Sequence, residues 1–303
     1  MPTTPEPTPG EFALIERLRA TLPSAPDGEV WSGDDTAVLS GGLLLATDAL
    51  VETVHFRLDW TDPASVGWKA LAVNVSDVAA MGGEPTAAVA AITLPVDRRG
   101  LGDAVAEGIA EAASALGCPL VGGDVTSGPC LMLAVAILGR VPPEGPVLRS
   151  GATPGDVVYV SGTVGGPAAA TEAHRSGAAP DQSGATQLHR PMPRLDVGRA
   201  AAAAGATAMI DVSDGLAADI GHICDESGVG VELVSAAIPL GPGARLDHAL
   251  GGGDDYELAF CLPSDVAPDA VGDATAIGRV TRGPQRLLDG EPLSAGGWTH
   301  DVG

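Results

Sequence analysis

Carboxylates recur beside glycine, serine or threonine at the ends of apolar runs, and this pattern constrains the chain more than any other. The stations are WSGDDTAVL (31–39), ATDAL (46–50), NVSDV (74–78), VGGDV (121–125), DVSDG (211–215) and GGGDDYEL (251–258). A short apolar run that stops at a glycine-rich polar turn reads as a strand entering a loop. Such runs alternate with helical patterns along the chain, so sheets covered by helices are expected. Five of the six stations would then lie at strand–loop junctions, where α/β folds bind ligands. For any single station, turn formation or helix capping is explanation enough. Asp214, which a helix follows, is the clearest capping candidate. Six stations together point to a shared site.

The periodicity divides the chain in two. GEFALIERLRATL has helical spacing, and TAVLSGGLLLATDAL reads as two strands around Gly41 and Gly42. A long helix begins at Pro63, runs through ASVGWKALAVNVSDVAAM and stops at Gly82. TAAVAAITLP is a strand, and the next helix ends at Gly117. CPLVGGD and LMLAVAILGRV are strands, the second with both faces at least partly covered. After the turn-rich RSGATPGD (149–156) the alternation restarts. DVVYVSG, AMIDVSDG, VGVELV, YELAFCL and TAIGRV read as strands. Helices follow Gly166, cover DVGRAAAAAG and cover LAADIGHICDESG, while AAPDQSGAT reads as a polar loop. The expected organisation is a disordered tail (1–10), an N-terminal domain (11–148) and a C-terminal α/β domain (149–303).

Several chemistries are excluded. Sixteen basic against 39 acidic residues give a net charge of −23, the reverse of a nucleic-acid or anionic-membrane surface. No apolar run reaches the roughly 20 residues of a membrane span. Cys118, Cys130, Cys224 and Cys261 lack metal or redox spacing and read as buried, reduced thiols. With MPTTPEPTPG lacking signal-peptide character, the cytoplasm is expected. The single lysine, Lys69, lies in GWKAL, outside any GxxxxGK[ST] context, and reads as structural. No GxSxG, HExxH or His/Cys zinc pattern is present.

If the acids converge, their repulsion requires cations. Two unit charges 4 Å apart repel by about 4 kcal/mol at an effective dielectric of about 20. Carboxylate ligands without His or Cys select Mg²⁺, Mn²⁺ or Ca²⁺. Mg²⁺ between Asp and phosphate oxygens is the usual chemistry of phosphoryl transfer. The glycines of VGGDVTSGP suit a phosphate approach. The residues alone therefore lead to a Mg²⁺–nucleotide enzyme without a P-loop.

The ordered set GEF, GDDTAV, TDALVETVHF, WKALAVNVSDVAAMGG, VGGDVTSGP, RSGATPGD, DVSDGLAADI and GGGDDYEL resembles the thiamine-monophosphate kinase family. That family belongs to the aminoimidazole ribonucleotide synthetase-like superfamily. The resemblance implies a two-domain α/β (α+β) fold with an N-terminal, dimer-forming sheet domain. It implies ATP-dependent conversion of thiamine monophosphate to thiamine diphosphate by direct in-line transfer, several Mg²⁺ ions and a homodimer. By position, Asp35, Thr47, Asp48, Asp77, Asp124, Asp211 and Asp214 match metal ligands, with Asp77, Asp124 and Asp211 at the catalytic centre. Gly123, Asp124, Arg149 and Ser213 match ATP contacts. His55, Asp254 and Trp298 match the substrate site. Asp34 is expected to support the turn or an outer-shell water. Asp254 stands where the family usually has Glu, and Ala46 where a hydroxyl is common. Relatives that make selenophosphate or carry a carbamoyl group would want a cysteine near the N- or C-terminus, and neither segment has one. A non-catalytic nucleotide- or metal-binding module is the alternative from another class.

Overall fold

The computed structural model describes residues 11–294 and 296–298, and the expected tail lies outside them. The first half runs α1 (Glu11–Thr21), β1 (Ala37–Leu39), β2 (Leu43–Val51), α2 (Pro63–Ala80), β3 (Glu84–Leu94), α3 (Leu101–Leu116), β4 (Leu120–Ser127) and β5 (Met132–Arg140). The second runs β6 (Val157–Ser161), α4 (Gly166–Ser176), α5 (Gln182–His189), α6 (Leu195–Ala203), β7 (Ala208–Asp211), α7 (Leu216–Ser227), β8 (Gly230–Leu233), α8 (Leu246–Gly251), β9 (Leu258–Leu262), β10 (Ala274–Thr281), β11 (Arg286–Leu288) and β12 (Glu291–Pro292).

Each half builds one mixed sheet. The first has the order β1-β2-β5-β3-β4, parallel only between β3 and β4. The second has the order β12-β11-β8-β10-β6-β9-β7, parallel only between β11 and β8. Residues 149–156 lie between them.

Helix α2 joins the halves. Pro63 at its start is pre-set for helical φ, and the Asp62 carboxylate accepts the Ser65 N–H at 2.9 Å. Leu71, Val75 and Val78 are buried with Leu44, Leu133, Val135 and Ile137 of the first sheet. Ala79 and Ala80 are buried with Tyr159, Met209 and Phe260 of the second. Burying an aliphatic side chain of this size stabilises by about 1.5–3 kcal/mol. α2 also packs tightly on α3 because Gly67 and Gly108 lack side chains. A Cβ on Gly108 would lie 1.7 Å from the Ala64 carbonyl oxygen, and one on Gly67 would lie 2.1 Å from that of Val105.

The structure departs from the sequence reading in several places. Gln182–His189 of the expected polar loop is helix α5, capped by the Asp181 carboxylate, which accepts the Ser183 N–H at 2.8 Å. Helix α8 and strands β11 and β12 are short additions that the periodicity missed. Asp48 and Asp124 lie inside strands rather than at their ends, because long pairing with β5 and β3 extends β2 and β4 past the acids. Strand β5 buries Leu133, Val135 and Ile137 on one face but leaves Met132 and Leu138 exposed on the other. The second face, expected to be at least partly covered, is half-buried at Ala134 and Ala136 and open at its ends. Among the described residues, no helix is long and apolar enough to cross a membrane.

Candidate active site

A cavity of about 1160 Å³ is lined by residues from both halves. At one end the turn before β1 supplies Asp35, α2 supplies Asp77 and the end of β7 supplies Asp211. Each offers a carboxylate oxygen, and these atoms lie within 4.8 Å of one another. Asp211 Oδ2 also accepts the Ser76 hydroxyl at 2.6 Å. Asp48 faces the same side of its sheet, anchored where its N–H donates to Asn74 Oδ1 at 3.0 Å.

The electrostatics of this end are unfavourable without a cation. Burial, then Asp35, pushes Asp211 up to about 8. Burial, then Asp48 and Asp211, holds Asp77 well above the usual carboxylate range. Asp48 is raised by burial and then by Asp35. An all-oxygen, crowded, charge-deficient donor set of this kind fits Mg²⁺ or a similar hard divalent ion. Among the described residues, Arg149 is the positive group that answers it. The Arg149 guanidinium donates to Asp35 Oδ1 at 2.8 Å, and the Arg149 N–H donates to Asp34 Oδ1 at 3.0 Å. Burial opposes the charge on Arg149, but Asp35 more than offsets it and the guanidinium stays above its usual range. Asp34, pushed up to about 7 by burial and then by Asp35, braces the segment that joins the two halves.

The DVSDG and GGGDDYEL motifs dock on each other. Asp254 and Tyr256 donate their N–H groups to the carbonyls of Ser213 and Val212, each at 2.8 Å. The turn requires positive φ at Gly253 (67°), Asp254 (65°) and Tyr256 (52°), and the last two are strained for residues with a side chain. Asp214 does not cap α7: Gly215 stands at the cap position without a side-chain bond. Asp219, in the first turn of α7, ties the loop instead. It accepts the N–H groups of Asp214 and Gly215 at 3.2 and 3.0 Å. The Trp298 N–H donates to the Asp214 carbonyl at 3.0 Å, which seats the C-terminal aromatic at the cavity.

Of the residues singled out in the sequence, Asp35, Thr47, His55, Asp48, Asp77, Arg149, Asp211, Ser213, Asp214, Asp254 and Trp298 all line this cavity. Thr47 Oγ1 donates to the Val135 carbonyl at 2.8 Å, and His55 Nδ1 accepts the Val51 N–H at 3.0 Å. Gly123 and Asp124 are placed elsewhere. Asp124 pairs with Ala91, Ala91 with Ala134, and Ala134 with Ala49, whereas Asp48 pairs with Val135. Side chains alternate along a strand, so Asp124 points from the open face of the sheet. It is also three strands from Asp48, about 14 Å at about 4.8 Å per strand.

Sequence reasoning missed the far wall. Trp60 stacks on His174 with ring centroids 5.2 Å apart, and His174 meets His189 at 5.5 Å. These come from three separate segments, and no spacing announces them. Lys69, expected to be structural, reaches Asp254 with Nζ–Oδ1 at 2.8 Å.

Comparison with known proteins agrees with this geometry. Residues 33–141 match the AIR synthase related protein N-terminal domain family, and residues 153–288 match the corresponding C-terminal domain family. The thiamine-monophosphate kinase of Mycobacterium tuberculosis is 39% identical over 95% of this chain and 91% of its own length. That of Escherichia coli K12 is 38% identical over 94% of this chain and 95% of its own. The solved structure of AaThiL complexed with AMPPCP and TMP is 34% identical and superposes with a TM-score of 0.89, over 98% of this chain and 99% of that one. Two domain-family matches and full-length identity well above a third place the chain in the thiamine-monophosphate kinase family of AIR synthase related proteins.

Proposed function

We propose that this chain transfers the terminal phosphoryl group of ATP to thiamine monophosphate, giving thiamine diphosphate and ADP in one in-line step. The observation that carries this reading is the convergence of Asp35, Asp77 and Asp211 at one end of a cavity whose other end is aromatic and hydrogen-bonding. A phosphate oxygen of thiamine monophosphate attacks the γ-phosphorus, and the bond from that phosphorus to the β–γ bridging oxygen breaks. The bonding electron pair stays on the ADP oxygen. The acceptor is a phosphate whose second proton leaves with a pKa near about 6. It is therefore already anionic at neutral pH and needs no general base.

Asp35, Asp48, Asp77, Asp211 and Asp214 would hold Mg²⁺, with Thr47 at their margin. When bound, Mg²⁺ would draw phosphate oxygens to these carboxylates and offset the charge that builds on the transferred group. The carboxylates would fix where the phosphates lie; Ser76 holds the Asp211 carboxylate, and Asp219 holds the backbone that carries Asp214. Arg149 leaves Asp35 to contact a nucleotide phosphate, for which its planar fork is suited. Ser213 contacts the nucleotide from the DVSDG turn. His55, Asp254 and Trp298 hold the thiamine part, where an aromatic face suits a cationic ring.

A homodimer formed through the first sheet completes the reading. Its outer face presents Leu45, Val89, Met132 and Leu138, all exposed, and a face of this kind favours pairing with a second copy. Pairing there would give Gly123 and Asp124 a place against the partner's nucleotide, which their position in a single chain does not. The unpaired thiols and the demand for ATP favour the cytoplasm.

The test is incubation with ATP, Mg²⁺ and thiamine monophosphate, following both products. Thiamine diphosphate and ADP in equal amounts are expected. ADP without thiamine diphosphate, or neither product while ATP is bound, would overturn the substrate assignment.

A further inference from the structure

Lys69 is the chain's only lysine, and it is buried on α2. Removing an ammonium from water is costly unless it is paired. Its partner is Asp254, from the other half of the molecule, with Nζ 2.8 Å from Oδ1. The Tyr256 hydroxyl donates to the same oxygen at 3.1 Å, and Nζ lies 5.8 Å from the Tyr256 ring centroid. Two donors thus fix one oxygen of Asp254, while Oδ2 accepts no hydrogen bond from the described residues. The Asp254 side chain is 34% exposed and lines the cavity.

Helix α2 sets the spacing. Val66, Lys69, Val73 and Asp77 all line the cavity along one of its faces. From Asp77 to Lys69 is about 12 Å at about 1.5 Å per residue. That offset places the Lys69–Asp254 pair beyond the phosphate end, where the ring system of a short phosphorylated substrate lies. A carboxylate oxygen can only accept a hydrogen bond, so its partner there is an N–H or O–H donor. Thiamine monophosphate carries one such group on its terminal ring, the exocyclic amine of the aminopyrimidine.

We propose that Lys69, with Tyr256, is a positioning residue that locks Asp254 so that its second carboxylate oxygen accepts a hydrogen bond from the exocyclic amine of the substrate. The inference rests on the proposed thiamine-phosphate kinase activity. An aspartate held on two donors at a positive φ has a fixed reach that a free side chain lacks.

The experiment compares kcat/KM for thiamine monophosphate with that for its analogue carrying a ring oxo group in place of the amine. The full chain is used as wild type, Lys69→Met, Tyr256→Phe and Asp254→Asn. Wild type should prefer the amine by at least about 10-fold, because the analogue offers the Asp254 oxygen no donor. Asp254→Asn, whose amide can donate, should erase or reverse that preference. Lys69→Met should raise KM for thiamine monophosphate and shrink the preference while leaving KM for ATP in place. Tyr256→Phe should do the same to a smaller degree and serves if Lys69→Met does not fold. A preference unchanged in all variants, or KM values for both substrates rising together, would show Lys69 to be only a packing element and overturn the inference. Failure of the wild type to make thiamine diphosphate at all would instead count against the proposed activity on which the inference rests.

Discussion

The two ends of the cavity handle charge in opposite ways. At the Lys69–Asp254 end each charge has its partner inside the chain. At the other, Asp35, Asp77 and Asp211 crowd together with Asp48 nearby, and among the described residues Arg149 answers them through Asp35. The first end is complete as folded and suits recognition of a fixed shape. The second is incomplete by construction: burial and neighbouring carboxylates raise Asp77 and Asp211 above the usual carboxylate range, a strain that a bound cation would relieve. Under the proposed activity the substrate would follow the same division, with its rings at the balanced end and phosphates at the acidic one.

The strongest way to break this comparison is at Asp77. Asp77→Asn should lower kcat by about 10³-fold or more, comparable to losing a main electrostatic contact in a transition state. The same change should leave the metal-free protein as stable as wild type or more so, because a repelling charge is removed. A mutation at the balanced end should not show that combination. Chelation comes next: EDTA should abolish turnover and lower the melting temperature in the presence of ATP, and Mg²⁺ should restore both, since a ligand that binds only the folded state stabilises it.

A third test concerns the open sheet face. If the proposed homodimer forms through it, Leu138→Glu should halve the mass seen by light scattering and reduce kcat, while circular dichroism stays native. A mutant that remains dimeric would place the interface elsewhere. The close packing of α2 on α3 gives a fourth. Gly108→Val should cost several kcal/mol, seen as a lower urea midpoint, because backbone stands where its side chain would go.

The smallest effect expected is a pH dependence at the balanced end. Burial, then His174 and Lys69, lowers His189 to about 4, with Asp62 and Asp254 opposing. Its folded pKa thus lies below the unfolded value near about 6.5. The associated stability is fully present above that value and is lost as pH falls from about 6.5 towards 4. The difference in urea midpoint between wild type and His189→Gln should therefore shrink over that window. A constant difference would contradict the shift.

How much of this was legible in the sequence depends on the range of the contact. Asp35, Asp77 and Asp211 could be singled out because each sits in a short motif with its own turn chemistry. The long helix was legible from Pro63 to its glycine stop, but that Lys69 and Asp77 both line the cavity from it was not. What the sequence did not disclose is pairing across the fold. Lys69 looked structural because its partner lies 185 positions away. The Trp60–His174–His189 wall joins three segments with no common spacing. Asp124 looked like one more member of the cluster, since a one-dimensional motif does not say which face of a sheet its side chain leaves. Strand register decides that, and register is set by β3 and β5 rather than by VGGDV itself.

The measurement that reaches the central claim most directly is Mn²⁺ binding to wild type and to Asp77→Asn, by titration calorimetry with a non-hydrolysable ATP analogue present. The charge-deficient end should bind more than one Mn²⁺ ion per chain, and Asp77→Asn should lose stoichiometry or at least about 10-fold in affinity. Equal binding by the two proteins, or none by wild type, would contradict the view that these acids are gathered to hold divalent ions.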